Sequence, residues 1–319
     1  MLKYTLRKLL ALIPKALVIT IVVFFALELL PGDALTRTMS PREYNELTET
    51  QREALREARG LNDPAPARYI NWLSGLLHGD LGYSSSTGEN IGKMLAGRLP
   101  YTIELVFYGI ALAAFLGMLL GFLAAVTKNS IIDYICSTIS VLGVSLPDFF
   151  FGLIWIILFV LTLHWFPVGG RMPVGNDSFT ARIPYMVLPI LTMATVEGAS
   201  LVRHTRSAML DVLGKEYIKT ARSKGLSEAK VNFKHAFRNC MTPIMTRLVM
   251  MLPLMVGGSV TVETVFNYAG VGTMIVAALN AGDMPVVMMT TLITAVVNLL
   301  ASTLVDIVTA LLDPRVRFE

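Results

Sequence analysis

The chain is short of charge. Asp, Glu, Lys and Arg make up only 16% of its 319 residues, against about 25% in soluble domains. Hydrophobic residues make up 54% and mean hydropathy is +0.61, which excludes an ordinary soluble domain. Cysteine is almost absent: Cys136 and Cys240 have neither CxxC nor Cys/His metal spacing. They read as small apolar residues and report no redox compartment. His78, His164, His204 and His235 are scattered and form no metal path. A nucleotide-binding P-loop is missing too. The nearest Gly-Lys, Gly92-Lys93, is followed by Met94 and has Thr87 where the first glycine belongs. No HExxH, Ser/His/Asp set or carboxylate pair at catalytic spacing stands out, which argues against a hydrolase or an intramembrane protease.

What is abundant is the long apolar run. A membrane helix needs about 20 apolar residues to cross a core of roughly 30 Å, and six stretches qualify: about 9–30, 101–126, 131–163, 184–202, 242–262 and 284–312. The third is long enough to need a break, and Ser145-Leu146-Pro147 supplies one. The first has basic residues in front (Lys3, Arg7, Lys8), as a signal peptide does. Its apolar run is too long for one, however, and ends in Glu28-Leu29-Leu30-Pro31-Gly32-Asp33 without a small-x-small cleavage site. The expected fold is all-α with six spans.

Orientation follows from Lys/Arg bias in short loops. The start of the chain holds Lys3, Arg7, Lys8 and Lys15. The loop 203–238 holds Arg203, Arg206, Lys215, Lys219, Arg222, Lys224, Lys230, Lys234 and Arg238, and the tail holds Arg315 and Arg317. Residues 263–283 have no Lys or Arg, and 164–183 have only Arg171 and Arg182. Both termini are therefore expected on the cytoplasmic side. Residues 31–100 carry eight Lys/Arg and nine Asp/Glu, and a loop that long translocates largely regardless of charge. Ser40-Pro41-Arg42-Glu43 predicts a capping box opening a helix that runs to about Ala58 and stops at Gly60. A second helix is predicted over about 66–78, with Tyr69, Ile70, Leu73, Leu76 and Leu77 on one face and Trp72 beside it. Such a helix suits the outer membrane interface or packing on the outer ends of the spans.

The loop 203–238 has helical grammar. From Met209 to Lys224 there is no proline and one glycine, Gly214. Leu210, Leu213, Tyr217, Ile218 and Ala221 fall along one stripe. Lys219, Arg222 and Lys224 sit in the last turn, where cations suit the helix dipole. Gly225 then stands where a left-handed residue ends a helix, with Leu226 as the hydrophobic return contact. Ser227-Glu228 reads as the cap and first position of a further helix. This predicts a helix–glycine–helix elbow. Its physics fits docking to a partner protein, and it also fits binding to anionic lipid headgroups.

Glu216-Tyr217-Ile218-Lys219-Thr220-Ala221-Arg222-Ser223-Lys224-Gly225-Leu226, followed by His235-Ala236-Phe237-Arg238-Asn239, resembles the EAA loop of permease subunits of bacterial ATP-binding-cassette importers. More narrowly the chain resembles the first permease of the dipeptide/oligopeptide/nickel branch. The resemblance runs nearly end to end. It takes in RKLLALIP (7–14), LLPGD (29–33), Gly60-Leu61, GLLHGDLGYS (75–84), RLPYTIEL (98–105), SLPDFF (145–150), VETVF (262–266), GVG (270–272) and LLDPRVR (311–317). Two departures are visible: Tyr268-Ala269 replaces the family's aromatic-Pro, and Lys219-Thr220-Ala221 stands for Glu-Ala-Ala.

The resemblance implies a type I (MetI-like) importer permease in the bacterial cytoplasmic (inner) membrane. Its expected parts are an N-terminal span (1–30), an extracytoplasmic helical insertion (31–96) and a permease core (97–312) containing the coupling loop 203–238. Its implied partners are a homologous second permease, two cytoplasmic ATPases and an extracytoplasmic solute-binding protein, with the lipid bilayer around it and no nucleic acid. No cofactor is expected on this chain; ATP and Mg belong to the ATPases. Glu216, Tyr217, Ile218, Ala221, Arg222, Lys224, Gly225 and Leu226 would form the coupling helix. In that role Gly225 lets the elbow turn, Ala221 keeps the docking face thin, and Glu216 and the cations pair with charges on the ATPase. The substrate implied is a di- or oligopeptide, with a nickel chelate as the alternative.

Two readings from other classes are an ion-driven secondary transporter, which predicts an internal repeat that the halves do not show, and a membrane-anchored scaffold. Ionisable residues inside spans usually face a cavity or a partner. Glu197 and Asn298 are therefore the candidates for the translocation path, with a structural pair between helices as the competing reading for Glu197. Arg247 is expected to snorkel to the cytoplasmic face, with Asp306 close to the tail and Glu28 and Glu104 at the outer interface. Pro147, Gly270 and Gly272 are the candidate break and gate positions.

Overall fold

A computed structural model of the chain describes residues 2–29, 34–37, 39, 41–173, 175 and 178–312. Among these the architecture is helical, with one isolated bridge between Tyr83 and Asn90. The expected capping Ser40, the stretch 30–33 and the tail 313–319 lie outside the described residues.

The apolar runs become helices where expected. They are α1 (Leu2–Glu28), α5 (Ile91–Val126), α8 (Phe179–Leu213), α11 (Arg238–Val265) and α13 (Met284–Leu312). The third run is split at the predicted place into α6 (Ile131–Ser145) and α7 (Asp148–Trp155), and a π-helical segment, Ile156–Thr162, continues α7. The two halves diverge by 112°, a far sharper turn than a kinked span. Leu146 and Pro147 are both extended, so the helix ends and restarts there. Among the described residues four helices (α1, α5, α8, α13) are long and apolar enough to cross a membrane, and the bent pair makes a fifth if counted as one span. The sixth expected span is α11, whose 28 residues are ample in length.

Between α1 and α5 lie α2 (Pro41–Glu46), α3 (Glu49–Ala58) and α4 (Ala65–Leu77). The single helix predicted to reach Ala58 is broken at Leu47. Thr48 is extended and opens α3 with a capping box of its own, exchanging bonds with Gln51. A reciprocal cap satisfies two orphan amides and so out-competes continuation.

By packing, the chain forms two compact units. The first gathers Ile103–Tyr268 with the two chain ends, Met1–Lys8 and Ala301–Glu319. α8 is its hub, packed by α6, α7 and α11. Its core buries Phe122, Leu201, Met209, Val231, Ile244 and Met251. α5 meets α8 along small residues spaced by four. A Cβ on Gly117 would stand 2.6 Å from the Leu201 Cβ, and one on Gly121 2.6 Å from the Thr205 Cβ. This is the small-xxx-small packing that lets membrane helices approach closely. Lys8 and Asp306, expected near the cytoplasmic ends, pair at 2.8 Å.

The second unit gathers Leu9–Thr102 and Ala269–Leu300, including a short apolar helix, α12 (Val271–Asn280). Its core joins Leu27, Ile91, Leu95, Met274, Val286 and Met289. α4 packs on α1 through aromatic rings: Phe24 lies 5.4 Å from Tyr69 and 5.6 Å from Trp72, and the Tyr69 hydroxyl is 2.8 Å from that of Thr20. Of the predicted face, Ile70 and Leu77 stay exposed, so the packed stripe is Tyr69, Trp72 and Leu76. Glu28, expected at the interface, pairs with Arg68 at 2.5 Å.

Candidate coupling elbow and permeation residues

The predicted elbow forms, with a shorter first arm than the stripe from Leu210 implies. α8 ends at Leu213. Gly214 is still right-handed, Lys215 is extended, and a separate helix, α9 (Glu216–Ser223), begins. Lys224 caps α9, and Gly225 follows at φ +73°, with its amide donating to the Arg222 carbonyl at 2.9 Å. That left-handed conformation suits glycine. Ser227 occupies the next cap position without a side-chain capping bond. It leads into the single turn α10 (Glu228–Lys230) and a π-helical segment, Val231–Phe237, that merges with α11.

Which way α9 faces corrects one expectation. Ile218 is fully buried and Ala221 is 6% exposed, both in the core of the first unit, and Leu226 packs partly against the same core. Ala221 therefore lets α9 lie close to its own chain and does not thin an outward docking face. The outward face carries Glu216, Tyr217, Lys219, Thr220, Arg222 and Lys224, all exposed. Two pairs form within the chain: Lys219 binds Glu216 at 2.7 Å, and Arg222 binds Glu228 with two bonds at 2.9 and 3.2 Å. The second pair bridges the turn at Gly225. Arg206, counted with the basic loop, points elsewhere. Its guanidinium makes bonds of 2.6 and 2.8 Å to Asp133. Asp133 also accepts from the Asn129 amide and from Ser137.

Among the intramembrane candidates, Glu197 lies 3.9 Å from Arg247, and Arg247 donates to the Ser200 hydroxyl at 3.0 Å. Arg247, expected to snorkel, has a side chain 21% exposed that turns toward α8. Glu197 belongs to the first unit and Asn298 to the second. The Asn298 side-chain oxygen is buried without a hydrogen-bond partner among the described residues. Pro147 caps α7 at the sharp bend. Gly270 caps α12 and Gly272 lies buried in its first turn, where the Val271 amide donates to the Thr102 hydroxyl at 2.9 Å.

Glu104, expected at the interface, is paired with Arg182 at 3.4 Å and stands 4.0 Å from Arg171. Tyr268, one of the two departures from the family pattern, is fully buried. Burial, and then the Glu104 carboxylate, push its phenol up to about 12, so it keeps its proton at neutral pH. Among the described residues no group of three or more His, Cys, Asp or Glu could hold a metal ion.

One polar centre has no counterpart in the sequence reading. Asp283 accepts from the Ser84, Ser85 and Ser86 hydroxyls at 2.5, 3.1 and 2.7 Å. It also accepts from the Ser85 and Ser86 amides and caps α13 through the Val286 amide. Burial pushes this carboxyl up, but the bonds from Ser84, Ser86 and the two amides outweigh it and hold the group below its ordinary value. The partners are 197 to 199 positions apart, so only the run of serines itself was visible as a signal.

These features define a multi-pass helical membrane protein with a short elbow set between two long helices. Residues 117–318 match the family model of the binding-protein-dependent transport system inner membrane component, and the chain belongs to that family. It is 38% identical over 317 residues to the oligopeptide transport system permease protein AppB of Bacillus subtilis (strain 168), covering 99% of both chains. It is 34% identical over 338 residues to the di/tripeptide transport system permease protein DppB of Pseudomonas aeruginosa (strain UCBPP-PA14), covering 100% of both. In fold it is similar to an inward-facing structure of the MetNI methionine ABC transporter. The TM-score is 0.55 at 14% identity, covering 69% of this chain and 96% of that one.

Proposed function

We propose that the chain is one permease of a pair in an ATP-driven importer, forming half of a translocation path for di- or oligopeptides by alternating access. The observation that carries this reading is end-to-end similarity to two peptide permeases, with identity above one third over 99–100% of each chain. The charge bias of the short loops supports cytoplasmic termini and a cytoplasmic elbow, and hence residence in a bacterial inner membrane. The parts follow as an N-terminal span (1–30), an outer insertion (31–96) and a permease core (97–312).

The elbow works as a dock for an ATPase. Its apolar residues Ile218, Ala221 and Leu226 fasten α9 to the permease, while Glu216, Tyr217, Arg222 and Lys224 face outward for the partner. ATP and Mg act on two such ATPases, since this chain carries no P-loop. A second permease and an extracytoplasmic binding protein complete the assembly. Pro147, Gly270 and Gly272 are the places where the path bends or gates, and Glu197 and Asn298 are polar groups along it.

Gly225→Pro tests the dock. Proline fixes φ near −65° and removes the amide hydrogen, whereas Gly225 sits at φ +73° and donates that hydrogen. The misfit costs about 3 kcal/mol locally. Membrane insertion should be kept, while peptide uptake per ATP hydrolysed by the reconstituted assembly falls sharply. Normal coupling in this variant removes the docking role. Uptake without ATP by the purified chain alone removes the importer reading altogether.

A further inference from the structure

The first unit contains an open cleft of about 400 Å³ between α8, α11 and α13, lined by His204, Thr242, Thr246, Arg247, Met250 and Thr309. Its size falls within the range of about 300–1,000 Å³ usual for small-ligand sites. Its wall is mostly apolar, with three threonines, one histidine and one arginine as its polar residues, and no carboxylate lines it.

The cation is under-used. A guanidinium has five N–H donors in a planar fork that matches a carboxylate. Asp133 occupies the Arg206 fork with two short bonds, 2.6 and 2.8 Å. Among the described residues Arg247, by contrast, makes one hydrogen bond, to the Ser200 hydroxyl, and its nearest carboxylate, Glu197, stands off at 3.9 Å. Its Nε is buried and has no hydrogen-bond partner among the described residues, and neither does the Thr309 hydroxyl. The Ser200 carbonyl holds the His204 ring at Nδ1, 2.9 Å away, so Ser200 fixes both walls of the cleft. Arg247 lines the cleft with its side chain 21% exposed, and a cation with unmet donors gains from an anion that completes it.

We propose that this cleft receives the C-terminal carboxylate of a peptide in transit, with Arg247 as the group that binds it and Glu197 as the internal carboxylate it displaces. The proposal deepens the importer reading and rests on it, since a peptide supplies the carboxylate. One fixed guanidinium set among hydroxyls suits a single carboxylate better than a lipid phosphate, which draws on clusters of Lys and Arg.

The test uses the complex of both permeases and the ATPases in nanodiscs, without nucleotide or binding protein. Equilibrium dialysis compares radiolabelled Ala-Phe with its C-terminal amide. Wild type should bind the acid at least about tenfold more tightly than the amide, the scale of one charge-assisted hydrogen bond. Arg247→Gln should abolish that preference and Arg247→Lys should keep part of it. Glu197→Gln should raise affinity for the acid about fivefold and leave the amide unchanged, because it removes a loosely paired competitor. A gain of that kind cannot come from misfolding.

The proposal is overturned if wild type does not distinguish acid from amide, if Arg247→Gln keeps the preference, or if Glu197→Gln leaves acid binding unchanged. It is also overturned, in favour of a lipid phosphate, if Arg247→Gln sheds co-purified anionic phospholipid while the acid preference persists. ATP-driven uptake with the binding protein present is measured separately. Uptake without a carboxylate preference sinks only this site, whereas no uptake of any peptide sinks the peptide reading beneath it.

Discussion

The Asp283 centre and the Gly225 elbow are both polar turns leading into a long helix, and they spend their polar groups in opposite ways. At Asp283 the charge is buried, and three serines and the start of α13 turn inward to satisfy it. At the elbow the charges stay at the surface in exposed pairs, and apolar Ile218 and Ala221 turn inward. The first arrangement consumes its own donors and locks a local structure. The second anchors itself through packing and leaves a polar face to be read by something else. Polar groups that are fully used within the chain point to stability, while those left outward point to a partner.

That contrast is most easily broken at its buried end. Asp283→Ala strips the acceptor from three hydroxyls and three amides at once, and should cost about 3–4 kcal/mol. The readout is thermal unfolding in detergent. A loss under about 1 kcal/mol would place the centre among ordinary surface pairs. At the elbow the comparison predicts a split between neighbours. Ile218→Ala should cost about 2–4 kcal/mol of stability, whereas Tyr217→Ala, at a position 46% exposed, should stay within about 0.5 kcal/mol and lower ATP-coupled uptake instead. Equal effects of the two on stability would mean that α9 does not present separate anchoring and docking faces.

Acid sharpens the contrast further. Asp283 has a folded-state pKa held below its unfolded value. Its contribution is therefore complete above the ordinary carboxylate pKa, about 3.9, and is lost only as pH falls through the lower folded value. The stability gap between wild type and Asp283→Asn should be flat from neutral pH to about 5 and close only below about 4. A gap that closes near neutrality would mean that other groups hold this turn.

The two regions also differ in how far they could be read from sequence. Apolar length located the long helices, and the Leu146-Pro147 break was legible because proline and its predecessor resist helix. The elbow was legible in outline for the same kind of local reason, a glycine after a cationic turn. Its first arm was misjudged because Gly214 keeps right-handed geometry, and the stop comes from Lys215 turning extended, which no residue preference announces. The facing of Ala221 depends on tertiary packing and not on spacing. Gly117 and Gly121 carry a readable GxxxG spacing, but their partner helix does not follow from it. The Asp283 centre was invisible because its donors arrive from nearly two hundred positions away. Long-range polar closure leaves no periodic trace, whereas span length and capping do.

The smallest expected effect is the most discriminating one for the elbow. Arg222 and Glu228 bridge the turn at Gly225 with two bonds, but their side chains are 44% and 62% exposed, so the pair should contribute under about 1 kcal/mol. Arg222→Ala alone should barely shift unfolding. The reversed pair, Arg222→Glu with Glu228→Arg, keeps the attraction across the turn while inverting the charge that each position presents outward. If the pair only braces the elbow, the reversed protein should both fold and couple normally. If Arg222 also meets the ATPase, as the outward polar face implies, the reversal should restore stability and leave uptake per ATP depressed. We expect the second outcome, because a surface pair too weak to matter for folding is still well placed to select a partner by charge.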